Sequence, residues 1–226
     1  MISFTGSTRG GVAVAQAAAK SVKRVSQELG GKSPQIVMQD ADIDLAVKGV
    51  ASGIFPPGGQ SCISGSRLLI HKDIIDDFTE KLVKLVQKAN IGDPLNKETH
   101  IGPIANRTHY ESILNKISEA ESCGHKLILD GRSECKDTGY YIGPTIFSNV
   151  PNSSDLAQNE VFGPVASTES WEDIEQVIQI ANDTVYGLAA GIWTKDLAKA
   201  MSIANKIEAG TVYINNYFNA ATQSPV

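Results

Sequence analysis

Apolar residues in this chain switch repeatedly between short continuous runs and helical spacing, and that alternation limits the fold more than any other feature. Met1 to Phe4 is a short apolar stretch, and Thr5 to Thr8 reads as a turn. The alanine-rich run from Val12 to Ala19 favours helix, with Ser7 or Thr8 as its cap. Lys23 to Glu28 then alternates as a strand does, so the opening is a βαβ unit. The next strand runs from Gln35 to Met38. Asp40, Asp42 and Asp44 precede a helix carrying Leu45, Val47, Val50, Ala51 and Ile54, where acidic groups suit the positive end of the helix dipole. Pro56-Pro57-Gly58-Gly59 stops that helix.

Ser66 to His71 reads as a strand, and Asp73 to Ala89 is the clearest helix. Its Ile74, Ile75, Phe78, Leu82, Leu85, Val86 and Ala89 share one face, and Gly92-Asp93-Pro94 breaks it. A second amphipathic helix, about Arg107 to Glu121, turns Tyr110, Ile113, Leu114 and Ile117 inward. Strands are expected at 126–129, 145–148, 165–168, 188–193 and 211–215, helices at 173–182 and 196–207, and a loop or irregular hairpin at 131–144. The pattern predicts an α/β fold with a mostly parallel sheet flanked by helices. Leu68-Leu69-Ile70 and Leu127-Ile128-Leu129 suit strands covered on both faces. The opening unit is expected to form a different layer, with the change near Gly30-Gly31.

Composition excludes several classes. With 226 residues the chain can bury a substantial core in one or two domains. Lys and Arg number 20 against 25 Asp and Glu, and no basic patch stands out, which argues against nonspecific nucleic-acid binding. No apolar run approaches the roughly 18 residues of a membrane span. Gly6, Gly10, Gly11 and Gln16 interrupt any signal-peptide core. Cys62, Cys123 and Cys135 are an odd number without metal-type spacing, which favours a reduced, cytoplasmic compartment. The four histidines lie far apart in sequence, so no metal site is expected.

Four local signals could carry chemistry. In Gly58-Gly59-Gln60-Ser61-Cys62-Ile63-Ser64-Gly65-Ser66 a cysteine stands among glycines and small polar residues, where a substrate can approach the backbone and N–H groups can face an oxyanion. The competing reading is a small buried cysteine in a turn. Cys123 and Cys135 have no such setting. Glu28 ends a strand before Gly30-Gly31 and could act as a general base if desolvated; a solvated surface glutamate is the bland alternative. Phe4-Thr5-Gly6-Ser7-Thr8 leads a strand through a glycine turn into a helix N-terminus, a weak phosphate-site signal. In Glu160-Val161-Phe162-Gly163-Pro164 the carboxylate could bind hydroxyls and Phe162 could lie against a flat ring, or the segment is simply a turn before a strand.

Together and in this order, Phe4 to Thr8, Glu28-Leu29-Gly30-Gly31-Lys32-Ser33-Pro34, Gly59-Gln60-Ser61-Cys62 and Glu160 to Pro164 resemble the NAD(P)-dependent aldehyde dehydrogenase superfamily. Tyr186 to Ala189, Ala209 to Val212 and Asn215 add to the resemblance, which covers essentially the whole chain. It implies that Cys62 is a nucleophile forming a thiohemiacetal and then a thioester, that Glu28 activates the hydrolytic water, and that the Cys62 N–H is one oxyanion donor. It also implies an NAD or NADP site in which Gly6 and Ser7 border the pyrophosphate, Leu29 and Gly30 approach the nicotinamide, Glu160 holds its ribose and Phe162 lies beside the ring. The family's second oxyanion donor, an asparagine, has no counterpart here. Residues 1–30 are then expected to be a remnant of a Rossmann-type cofactor domain and 31–226 most of a catalytic domain, truncated at both ends. The implied partners are a small aldehyde, fairly apolar if Tyr217 and Phe218 line its tunnel, and further copies of the full-length chain in a homo-oligomer. Two alternatives stand beside this reading: an inactive binding or structural fragment of the same fold, and a cofactor-independent thiol esterase using Cys62 and Glu28.

Overall fold

The computed structural model describes residues 1–134 and 138–218, and its strands form two sheets. Strands β1 (Ile2–Thr5) and β2 (Val25–Glu28) pair in parallel, with helix α1 (Thr8–Ala19) as their crossover. Ser7 is the cap of α1, and its side chain accepts a hydrogen bond from the Gly10 N–H. The helix buries only Gly11 and Ala18, so this small unit has little core of its own.

The second sheet is built from β3 (Pro34–Val37), β4 (Arg67–His71), β5 (Lys126–Leu129), β6 (Thr145–Ser148), β7 (Val165–Trp171), β8 (Ala189–Trp193) and β9 (Thr211–Ile214). Their spatial order is β5-β6-β7-β4-β3-β8-β9, and every pair is parallel except β5–β6. Helices α2 (Ile43–Ile54), α3 (Ile75–Val86), α4 (Arg107–Ser122), α6 (Ile174–Asn182) and α7 (Leu197–Ala204) pack against it. A four-residue helix, α5 (Asp155–Gln158), capped by Ser154, was not foreseen because it is one turn long and shows no periodicity.

Successive residues of β4 face opposite ways, as strand geometry requires. Leu68 and Ile70 join a core with Val50, Ile54, Phe78 and Leu82 of α2 and α3, while Leu69 joins Val177 and Ile203 of α6 and α7 on the other side. Asp42 caps α2, whereas Asp40 accepts hydrogen bonds from the Thr194 hydroxyl and the Lys195 N–H instead. Strand β5 is an antiparallel edge strand with a register shift between Leu127 and Leu129, yet its apolar run is covered on both faces as expected: Leu127 packs with Ile113 and Ile117 of α4, and Ile128 and Leu129 join the core of α2 and α3. These side chains are only partly buried, because among the described residues no strand pairs with the outer edge of β5.

The site depends most on register. Pro34 pairs with Arg67 and Arg67 with Ser167, so β3 and β4 begin level and β7 begins two residues earlier, all at the centre of the sheet. The segments leading into these three strands therefore lie side by side along one edge.

Candidate active site

Those three segments carry Gly30, Cys62 and Glu160, and they face the carboxyl ends of β1 and β2, which carry Gly6 and Glu28. Between them lies a cavity of about 940 Å³. All eight residues singled out from the sequence line it: Gly6, Ser7, Glu28, Leu29, Gly30, Cys62, Glu160 and Phe162. Tyr217 and Phe218 do not; Tyr217 is 4% exposed and packs beneath the cysteine loop, and Phe218 stands in solvent. Cys123 is exposed at the end of α4, and Cys135 lies outside the described residues. Among the described residues no group of His, Cys, Asp and Glu could hold a metal ion.

Cys62 is half-buried in a turn closed by the Ser64 N–H donating to the Ser61 carbonyl at 3.0 Å. Its own N–H takes no hydrogen-bond partner among the described residues, which leaves it available to an incoming oxyanion. The loop reaches this shape through backbone that only glycine adopts easily. Gly58 and Gly59 have φ of 64° and 66°, and a Cβ on Gly59 would fall on the Gly163 carbonyl. Gly31 lets the Cys62 carbonyl oxygen pass within 2.6 Å of where a Cβ would stand. Gln60 fixes the loop laterally, accepting from the Ala105 N–H at 2.9 Å and donating to the Pro103 carbonyl at 3.3 Å.

Glu28 is exposed at the end of β2, and its carbonyl accepts from the Gly6 N–H at 3.0 Å, joining the first two motifs. At the start of α1 the Thr8 and Arg9 N–H groups have no partner among the described residues. Unsatisfied N–H groups at a helix start favour an anion.

Glu160 is half-buried and accepts from the Gly31 N–H at 3.1 Å, across 129 positions of sequence. Its carboxylate sits where a Cβ on Gly30 would project, so that glycine is needed for the approach. Burial pushes the carboxyl above its ordinary value; the Gly31 N–H and the charges of Lys32, Lys116 and His109 oppose that rise. Phe162 has φ of 57°, unusual for a residue with a side chain, and its carbonyl is 2.7 Å from His109 Nε2. The two rings meet at 5.8 Å.

Sequence reasoning missed the wall formed by α4. His109, Ser112 and Lys116 line the cavity, and Lys116 donates to the Glu160 carbonyl at 2.7 Å. Their spacing puts them on one helix face, beside the Ile113 and Ile117 stripe, and that periodicity was the available signal. Lys32, inside the glutamate motif, is 2% exposed. Desolvation first, then Lys116 and Arg67, lower its pKa to about 7, while Glu160 and Asp155 act in the opposite sense.

A cysteine thiol beside a free N–H, a carboxylate across the cavity, and an anion-favouring helix start with a second carboxylate are an arrangement able to do covalent chemistry on a carbonyl beside an anionic ligand. Comparison with known proteins identifies the family. Over 99% of its length the chain is 42% identical to "Aldehyde dehydrogenase, cytosolic 1" of Macroscelides proboscideus. It superposes with a TM-score of 0.95 on an NAD-dependent aldehyde dehydrogenase from Sinorhizobium meliloti, 39% identical over 100% of the chain. The same score is found with the NAD+ complex of an aldehyde dehydrogenase from Bacillus cereus, 36% identical over 99% of the chain. The chain spans about 45% of the length of each of these proteins. A model of the aldehyde dehydrogenase family matches residues 1–226, so that, with identities near 40% over almost all its residues, the chain belongs to that family.

Proposed function

We propose that the protein to which these residues belong oxidises an aldehyde to a carboxylic acid with NAD or NADP. The observation that carries this is the convergence of four sequence-distant motifs, with all eight of their singled-out residues, on one cavity. In this reading Cys62 Sγ attacks the aldehyde carbon, and the Cys62 N–H receives the developing oxyanion. A nicotinamide dinucleotide, when bound, would supply the hydride acceptor needed to take the thiohemiacetal on Cys62 to a thioester. Glu28 then takes a proton from water; the hydroxyl adds to the thioester carbon, and the Cys62 thiolate leaves with release of the acid.

The residues present fit such a dinucleotide. Gly30 gives Glu160 a cradle that a side chain would fill, and the unpartnered N–H groups at the start of α1 suit a pyrophosphate bordered by Gly6 and Ser7. Leu29 and Gly30 would face the nicotinamide, Glu160 its ribose and Phe162 the ring edge. The small first sheet supports assigning residues 1–30 to a cofactor domain and 31–226 to the catalytic domain. We place the full-length protein in the cytoplasm as a homo-oligomer; a relative named cytosolic supports the location.

Glu28→Gln tests the reading. Deacylation should slow by about 10²- to 10⁴-fold, and intact-mass spectrometry should show acyl-enzyme accumulating on Cys62 during aldehyde turnover. An unchanged steady-state rate with no acyl adduct would refute the base role. Ester hydrolysis by a wild type that does not bind NAD would instead favour the esterase alternative.

A further inference from the structure

The underside of the cysteine loop is held by buried polar side chains that the chemistry above does not use. Tyr217, just beyond β9, donates its hydroxyl to the Ile63 carbonyl at 2.7 Å. Gln35 of β3, fully buried, donates to the Gly65 carbonyl at 3.2 Å and accepts from the Trp193 indole at 3.0 Å. The Gly65 N–H donates to the Gly53 carbonyl of α2 at 3.3 Å. The Tyr217 ring fills space opened by two glycines: a Cβ on Gly53 would stand 2.5 Å from it, and one on Gly191 of β8 2.8 Å. Residues from β3, α2, β8 and the end of β9 thus converge under Ile63 and Gly65, the neighbours of Cys62 on its carboxyl side.

We propose that Tyr217 is a positioning residue for Cys62: its hydroxyl pins the Ile63 carbonyl downward and so fixes where Sγ stands above the loop. This rests on the reading of Cys62 as the nucleophile. The phenol is suited to the task because it stays a donor. Burial holds its pKa above the ordinary tyrosine value; the Ser33 side chain beside the hydroxyl opposes the rise, and Tyr213 and Cys62 add to it. A partly buried carbonyl left without its donor is poorly compensated by solvent, which favours a shift of the loop. Movement of a reacting atom by about 1 Å is enough to cost on the order of 10² in rate.

The test is alkylation of the full chain by iodoacetamide, followed at each cysteine by peptide mass spectrometry. Tyr217→Phe keeps the ring against Gly53 and Gly191 and removes only the hydroxyl. The Cys62 rate constant should change by about two- to tenfold, the weight of one buried hydrogen bond, while exposed Cys123 reacts as before. Tyr213→Phe, whose ring meets Tyr217 at 5.0 Å, should leave both rates unchanged. An unaltered Cys62 rate in Tyr217→Phe overturns the proposal, and so does an equal change at Cys62 and Cys123, which would mark general loosening. The underlying reading fails separately: aldehyde-dependent turnover surviving in Cys62→Ser would overturn the nucleophile assignment, a result the labelling rates cannot produce.

Discussion

Lys32 shows how much a single position depends on what surrounds it. In the sequence it is one polar residue in Gly-Gly-Lys-Ser-Pro; in the fold it is 2% exposed with its pKa lowered to about 7. Unfolded, the same amine titrates near 10.5. Between those values the unfolded chain holds a proton that the folded chain has released, so this group makes stability rise with pH across the interval. Below about pH 7 both states are protonated and the cost of burying the charge is fully present. Lys32→Met should therefore flatten the pH dependence of the urea midpoint between 7 and 10 and stabilise the chain most at its acid end. A midpoint profile parallel to the wild type would show that Lys32 is not the group responsible. The composition of the glutamate motif gave no hint of this, because the shift comes from burial in the fold and from the charges of Lys116 and Arg67, both remote in sequence.

Elements were largely legible, because their signals are local. The strands at 126–129 and 145–148 and the helix near 107–121 stand within a residue of expectation. The helix expected over 73–89 is shorter, at Ile75–Val86, since turns flank it on both sides. Helix α4 is the element on which the site leans most, and its start is fixed by Asn106, whose side chain accepts from the His109 N–H at 2.9 Å. Asn106→Ala should destabilise the chain by about 1 kcal/mol. It should also loosen the turn that carries His109, so that a ligand reaching Phe162 binds more weakly. Equilibrium unfolding checks the first effect, and NAD titration of the full-length protein checks the second.

At the scale of the molecule the two sheets differ in how they are stabilised. Each of β1 and β2 has only a partly buried face, whereas β3 and β8 are buried at every position. A lone pair of strands is marginal without a covering core. Amides of β1 and β2 should exchange with deuterium at least about tenfold faster than those of β3, β4 and β8, because local opening there breaks few apolar contacts. Equal protection in both sheets would mean that residues 1–30 open only with the rest of the chain.

The alternation of apolar runs and amphipathic helices was enough by itself to determine an α/β chain, and the cysteine, glutamate and glycine motifs were enough to name candidates. These features depend on residues a few positions apart, and the backbone periods of strand and helix convert them directly into faces and ends. What only the tertiary structure decided was their meeting. The order β7-β4-β3 and their register bring Gly30, Cys62 and Glu160 to one edge, and the same packing sends Tyr217 beneath the loop instead of into the cavity. Contacts of that kind join positions more than a hundred residues apart, such as Gly31 and Glu160. Their partners are chosen by which strands pair and which faces are buried, and no local pattern along the chain encodes that choice.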